Sequence, residues 1–263
     1  MAERIRLDSL LTARGLYPSR SKAAAAVMAG DVRLEGGRRP KPGLMVPDDL
    51  AVEVAEPPRF VSRGGTKLDT ALEQTGVDPE GRPCLDVGAS TGGFTDCLLQ
   101  AGAQAVVAVD VGYGDLAWSL REDPRVTVLE RTNARQLDPG QLPFRPEVIV
   151  LDCSFISLTK LLPAVLDCAA PRYDALAMVK PQFELGRSRV GRGGVVRERA
   201  DREEAVLQVA RFAAGQCGAS VMGFAPSGLP GPKGNLETFV HLAEPGRKGA
   251  LTDLPAALEG VGV

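Results

Sequence analysis

The sequence predicts an α/β architecture: a doubly wound sheet domain preceded by a small, basic α+β domain. Three observations carry this. From residue 83 onward seven apolar runs alternate with helical patterns and glycine-rich turns; a shorter amphipathic stretch precedes them; and the charge balance changes sign between the two. A chain of 263 residues has room for both, because single domains commonly run to ~100–150 residues and α/β domains somewhat further. With 44% hydrophobic and 24% charged residues, the chain has the material for a packed core and no composition of disorder.

Residues 1–47 carry nine Arg and Lys against four Asp and Glu, a net of +5, which leaves about −7 for the rest of a chain whose total is −2. A basic head on an acidic body points to a polyanionic partner, because Lys and Arg on phosphates release condensed counterions; by charge alone, a solvated surface would look the same. Leu7, Leu10 and Leu11, then Ser19 ahead of Ala23, Ala26, Val27 and Met28, predict two short helices ended by Gly15 and Gly30. Val32, Leu34, Leu44, Val46, Leu50, Val52 and Val54 alternate with polar residues and predict short strands joined through Gly36-Gly37. The string RLDSLLTARGLYPSRSKAAAAVMAGDVRLEGGRRPKPG resembles the S4 domain, an RNA-binding fold that presents the basic edges of two helices to nucleic acid. That resemblance covers roughly residues 4–55 and implies phosphate contacts by Arg4, Arg6, Arg20, Lys22 and Lys41. The first domain is placed at 1–58 and an interdomain linker at 59–65, where Pro57-Pro58 stiffens the chain and Gly64-Gly65 loosens it.

The second domain is placed at 66–246, with a C-terminal tail at 247–263. Its runs are residues 84–88, 105–112, 126–130, 148–154, 175–181, 220–226 and 238–243. The first leads into LDVGASTGGFTD, a strand that ends in a glycine-rich turn and opens a helix. Gly88, Gly92 and Gly93, with Ala89, Ser90 and Thr91 between them, let backbone approach a polar ligand, and the helix start offers free N–H groups to an anionic or carboxylate end. Nucleotides and S-adenosyl-L-methionine are both served by that logic. Asp110, ending the second run with Val111 after it, is placed to accept hydrogen bonds from a ribose diol, as a dehydrogenase would also require. The spacing G-A-S-T-G-G, which is not G-x-G-x-x-G, and the count of seven runs favour a class I S-adenosylmethionine-dependent methyltransferase. Asn133, after the third run, meets the cofactor's adenine or simply forms a turn.

Four residues stand out as candidate catalytic groups: Lys67 in the helical pattern before the first run, Asp152 ending the fourth, Lys180 in the fifth and Glu237 before the seventh. Strand carboxyl ends line the ligand crevice of open α/β sheets, so Asp152 and Lys180 should face the cavity of the glycine turn, and Asp152 should also meet the cofactor. Singly, each is explained by an ion pair or a strand-end cap. Together they suit a reaction in which a weakly nucleophilic ribose hydroxyl is oriented and deprotonated. The K-D-K-E set resembles that of the FtsJ/RrmJ-type 2′-O-methyltransferases. With the S4-like head, the chain resembles the TlyA family, also called hemolysin A-like, through SRGGTKL, LDVGASTGGFTD, LDCSFISL, MVKPQFE and GPKGNLE. The resemblance implies S-adenosyl-L-methionine-dependent 2′-O-methylation of cytidines in ribosomal RNA of the small subunit (16S) and, in many members, the large (23S). It assigns Lys180 as the central catalytic lysine, Asp152 and Glu237 as its positioning partners, and Lys67 as completing the set.

Further RNA contacts are expected from Arg63, Arg135 and Arg187. Phe155, in the loop after Asp152, is either a platform beside cofactor or flipped base or a core side chain, and core packing is the favoured reading. Residues 184–204 read as a glycine- and arginine-rich loop running into a charged helix, which closes over RNA or stays a mobile surface segment. The single histidine, His241, argues against serine–histidine hydrolysis and histidine-rich zinc sites, and no metal is expected. Five cysteines without a CxxC pair read as reduced thiols, and no apolar run reaches the ~20 residues of a membrane span, so a cytoplasmic protein is expected. Two alternatives stay open, a methyltransferase acting on another RNA and a hemolysin-like activity. Oligomeric state is not legible.

Overall fold

The computed structural model describes residues 4–37, 39–54 and 58–263, which divide into two compact units with the boundary between Pro58 and Arg59. Pro57 lies outside the described residues. The first unit runs β1 (Arg4–Arg6), α1 (Leu7–Ala13), α2 (Arg20–Ala29), β2 (Val32–Leu34), β3 (Met45–Pro47) and β4 (Val52–Val54). β1 pairs antiparallel with β3 and β2 with β4, so two short ribbons close around Leu7, Leu11, Ala23, Val27, Val32 and Val46. α2 starts where the Ser19 hydroxyl accepts the Lys22 N–H at 3.3 Å, and it stops at Gly30, whose φ of 91° suits glycine. Asp8 is buried in α1, and the Arg6 guanidinium donates to it at 2.6 and 3.1 Å with Arg20 3.8 Å away. Those two arginines are thereby drawn to one carboxylate, which Arg6's hydrogen bonds hold below its usual pKa despite burial.

The second unit runs α3 (Arg63–Thr75), β5 (Pro83–Val87), α4 (Gly93–Gln100), β6 (Ala105–Val109), α5 (Trp118–Arg121), β7 (Val126–Leu129), β8 (Val148–Leu151), α6 (Leu162–Asp167), β9 (Asp174–Val179), α7 (Pro181–Glu184), α8 (Arg199–Gln216), β10 (Ser220–Pro226), β11 (Thr238–Ala243) and α9 (Leu254–Glu259). All seven strands join one sheet in the order β10-β11-β9-β8-β5-β6-β7. β5 through β9 are parallel, whereas β11 lies antiparallel between β9 and β10. Apolar period alone does not give strand direction. The short, helix-free connection at 227–237 does, because a parallel return needs a crossover of about a dozen residues or more.

Alternation along each strand feeds two cores. Leu85 and Val87 join Val165, Val209 and Val240 on one face, while Cys84 joins Leu68, Leu98, Leu120 and Phe239 on the other. Two expected boundaries are corrected. Residues 63–65 are not linker but the first turn of α3, and Gly65 is buried there because the Phe60 ring lies 2.3 Å from where a Cβ would stand. The 247–263 segment is not a free tail: Asp253 caps α9 by accepting the Ala256 N–H at 3.1 Å, and Leu258 and Val263 are buried in the first core.

The histidine has a structural place. His241 Nε2 lies 3.0 Å from Asp174 Oδ1, Arg82 donates to Asp174 Oδ2 at 3.0 Å, and Arg247 reaches Oδ1 at 3.3 Å. Burial would raise the Asp174 pKa, but the bonds from His241 and Arg82 and the Arg247 charge outweigh it and hold the carboxyl at about 2. Asp174→Ala leaves Arg82, Arg247 and His241 without this partner and should cost about 2–3 kcal/mol at pH 7, lowering Tm by roughly 5–10 °C. A depressed carboxyl pKa stabilises above its unfolded value near 4 and loses that contribution as pH falls toward 2, so the wild-type advantage should shrink between pH 4 and pH 2. Denaturant titrations of both proteins at pH 7 and pH 3 test this; an equal gap at both would refute the assignment.

Candidate active site and cofactor cleft

β5 delivers the chain to Gly88, where φ is 88° and a Cβ would stand 2.5 Å from the Asp152 carbonyl oxygen. Only glycine lets the turn lie against the end of β8. Ser90 also adopts a left-handed backbone, with φ of 48°, and the turn ends at Gly92, the residue before α4. Asp110, just past β6, is fixed by two backbone amides: Ser90 N–H donates to Oδ2 at 2.8 Å and Gly112 N–H to Oδ1 at 2.7 Å. Each carboxylate oxygen keeps a further lone pair for a ribose hydroxyl.

Beside Asp110 opens a cavity of about 280 Å³ lined by Gly88, Val111, Asn133, Ala134, Ile156 and Leu161 among others. Asn133 takes the role of turn-former, its Oδ1 accepting the Arg135 N–H at 3.1 Å, and it still lines this cavity. A carboxylate with lone pairs to spare, an adjoining cavity with apolar walls and a glycine turn that brings backbone close would suit the ribose, base and amino-acid end of S-adenosyl-L-methionine. Under the turn, Asp86 is fully buried, with Oδ2 accepting the Thr95 hydroxyl at 2.7 Å and Oδ1 without a hydrogen-bond partner among the described residues. Burial, reinforced by the neighbouring Asp152 charge, pushes its pKa up to about 7.

A second cavity of about 520 Å³ shares Gly88, Ser90, Asp152 and Ser154 with the first, so the two form one trough. It brings together Lys67, Asp152, Lys180 and Glu237, with Ala89, Thr91 and Gly93 on its wall. Lys67 and Glu237 form an ion pair with side chains 8% and 2% exposed. Lys180 Nζ contacts Asp152 Oδ1 outside hydrogen-bond angles and donates to Ser154 Oγ at 3.0 Å. Past Lys180 lies a third cavity, about 340 Å³, walled by Phe155, Phe183, Gln182, Lys233 and Val190 and sharing Ser154, Lys180, Pro232 and Glu237 with the second. Lys180 thus stands at the seam between a cofactor-sized trough and a separate, partly apolar pocket. Among the described residues no group of three or more His, Cys, Asp or Glu gathers as a metal ligand set.

Phe155 is not core. It is 90% exposed, has φ of 65°, and tilts against Phe183 with ring centroids 5.1 Å apart. β8 ends at Leu151, so inward–outward alternation no longer governs position 155, and the left-handed backbone turns the ring to solvent. Among the expected cationic contacts, Arg4 donates to the Met45 carbonyl at 2.9 Å and Arg63 to the Pro230 carbonyl at 2.8 Å, while Arg20, Lys22, Lys41 and Arg135 are exposed. Arg187 lies in a short 3-10 turn, Arg187–Arg189. Sequence reading passed over Ser154, Glu184 and Gly231. Ser154 was visible as the polar residue ending the fourth run. Glu184 binds the Ser157 hydroxyl and the Leu158 N–H, tying the Phe155 loop to α7, and Gly231 leaves only 2.6 Å between a would-be Cβ and Glu237 Oε1; neither carries a local signal.

The family model of FtsJ-like methyltransferases matches residues 60–244. A 16S/23S rRNA (cytidine-2′-O)-methyltransferase TlyA of Mycobacterium tuberculosis is 51% identical over 244 residues, 92% of this chain and 91% of its own. Hemolysin A of Brachyspira hyodysenteriae is 38% identical, covering 90% of this chain and 99% of its own, and a 23S rRNA (cytidine-2′-O)-methyltransferase TlyA of Campylobacter jejuni is 33% identical over 69% and 70%. A solved structure from Streptococcus thermophilus that carries the hemolysin name has a TM-score of 0.72 at 38% identity, over 98% of this chain and 95% of its own. The chain belongs to the FtsJ-like methyltransferase family and, within it, to the TlyA family.

Proposed function

We propose that this protein transfers a methyl group from S-adenosyl-L-methionine to the 2′-hydroxyl of a cytidine in ribosomal RNA, acting in the cytoplasm. The observation that carries the reading is Lys180, held by Asp152 and Ser154 where the cofactor trough meets the pocket beyond it. The cofactor, when bound, supplies an electrophilic sulfonium methyl. Asp110 holds a ribose diol at one end of the trough, and the Gly88–Gly93 turn with the first turn of α4 receives a carboxylate. Lys180 orients the acceptor hydroxyl, helps pass its proton to solvent and steadies the negative charge left on the oxygen, a charge quenched as the carbon–oxygen bond forms and the carbon–sulfur electron pair leaves with the sulfur. Asp152 positions Lys180; the Glu237–Lys67 pair lines the same trough, with Glu237 just before Thr238, which pairs with Val179 next to Lys180. The 340 Å³ pocket receives the flipped-out acceptor nucleoside, with Phe155 and Phe183 as its stacking edge. The first unit serves as an S4-type RNA-binding domain through Arg4, Arg20, Lys22 and Lys41, with Arg6 partly committed to Asp8, while Arg63, Arg135 and Arg187 contact RNA from the second.

Support for the substrate comes from the M. tuberculosis and C. jejuni relatives, the first named for methylation of 16S and 23S rRNA and the second for 23S rRNA alone. No helix among the described residues is long and apolar enough to cross a membrane. The test is transfer of labelled methyl from S-adenosyl-L-methionine to isolated 30S and 50S subunits and to total protein. Label in RNA at a cytidine whose linkage resists alkali supports the proposal; label in protein, or none with cofactor bound, overturns it. Phe155→Ala should lower turnover on subunits ~5- to 100-fold, the range of one lost base stack. Because the ring is solvent-facing, thermal stability should move by less than about 0.5 kcal/mol. Unchanged turnover would remove the stacking role.

A further inference from the structure

The loop between β10 and β11 carries Glu237, and two residues earlier it carries Asn235, which is 2% exposed and lines the acceptor pocket. Both ends of the Asn235 carboxamide are used. Nδ2 donates to the Gly194 carbonyl at 2.8 Å, and Oδ1 accepts the Val196 N–H at 2.9 Å. Its backbone carbonyl accepts the Gly231 N–H at 2.8 Å, closing the 231–235 turn whose Gly231 abuts Glu237. On the other side, Gly191 N–H donates to the Val195 carbonyl at 3.1 Å, so residues 191–195 are a tight turn. Gly193 and Gly194, with φ of 85° and 80°, leave that turn pliable by itself. Val190 and Gly194 from this segment stand in the same pocket wall as Lys233 and Glu237.

We propose that Asn235 is a positioning residue of the acceptor site: its carboxamide clamps the 191–196 turn onto the Glu237 loop and fixes the wall that holds the acceptor nucleoside against Lys180. This rests on the function proposed above. The residue type follows from the contacts. An aspartate accepts from Val196 but repels the Gly194 carbonyl, and an alanine leaves a buried N–H and a part-buried carbonyl unpaired. Whole-subunit affinity is carried by many phosphate contacts, so loosening one pocket wall should leave binding nearly intact and misplace the hydroxyl at the moment of transfer.

The experiment measures steady-state methylation of ribosomal subunits by wild type, Asn235→Ala and Asn235→Asp, with cofactor affinity by calorimetry and trypsin cleavage after the exposed Arg189, Arg192 and Arg197. The expected result is a kcat lower by ~10- to 100-fold, KM for subunits and cofactor Kd within about twofold, and faster cleavage in the 189–197 segment. Should Asn235→Ala fail to fold, the near-isosteric Asn235→Asp decides. An unchanged kcat, or a cofactor affinity that falls in step with kcat, overturns the clamp in favour of a merely structural asparagine. Wild type that fails to label either subunit instead overturns the substrate reading itself.

Discussion

Lys180→Ala should lower methyl transfer to ribosomal subunits at least ~10³-fold while leaving cofactor Kd within about threefold, because proton handling and alkoxide stabilisation contribute on that scale. The separation has a structural reason. Asp110, Val111 and Asn133 line the 280 Å³ cavity, and Lys180 does not. Its Nζ instead meets Asp152 and Ser154, which line both cavities where they join. Lys180→Arg is the sharper control, since it keeps the charge but neither the compact shape nor a group that can lose a proton, and it should be nearly as inactive. Because Asp152 acts by positioning Lys180, Asp152→Ala on top of Lys180→Ala should add little, the non-additivity of residues that work as a unit. Single-turnover rates with saturating cofactor decide these points. A Lys180→Ala protein within tenfold of wild type would show that positioning alone accounts for the rate and that the lysine is structural.

Much of this site could be read from the chain before any coordinates, and the reasons are specific. Asp110 and Asp152 follow strands that are nearly continuous apolar runs, so their place at the carboxyl edge of the sheet follows from period and length alone. Gly88 and Gly92 announce a turn because their φ values suit glycine. What stayed hidden depends on contacts distant in sequence. Lys67 and Glu237 are 170 residues apart, and nothing local shows that they pair. Asn235 looks like a turn residue until its partners, about forty positions away, are seen. Phe155 was misjudged because hydrophobicity argues for burial, whereas the strand had already ended and the backbone points outward. The direction of β11 and the helical state of residues 63–65 were set by neighbours, the 227–237 connection and the Phe60 ring.

The pairing of Lys67 with Glu237 separates stability from function most clearly. Both side chains are nearly inaccessible, and removing one partner strands the other charge away from water. Glu237→Ala should therefore cost about 3–5 kcal/mol, lowering Tm by roughly 6–20 °C, and Lys67→Ala should do similar damage. The double replacement Lys67→Met with Glu237→Leu removes both charges while restoring apolar volume, and buried ion pairs exchanged in this way are often neutral or stabilising by ~1–4 kcal/mol. The doubly substituted protein should thus melt at or above the wild-type temperature yet remain inactive, because Glu237 and Lys67 face the 520 Å³ cavity in which transfer takes place. Denaturant midpoints and methylation assays on the four proteins of this cycle provide the check. If the double variant is as unstable as the singles, the pair is needed for packing rather than for chemistry. If it is stable and active, these two residues leave the catalytic set, and the reaction falls to Lys180 and Asp152 alone. A stable, inactive double variant would show an ion pair kept at the expense of stability because the acceptor site requires its charges.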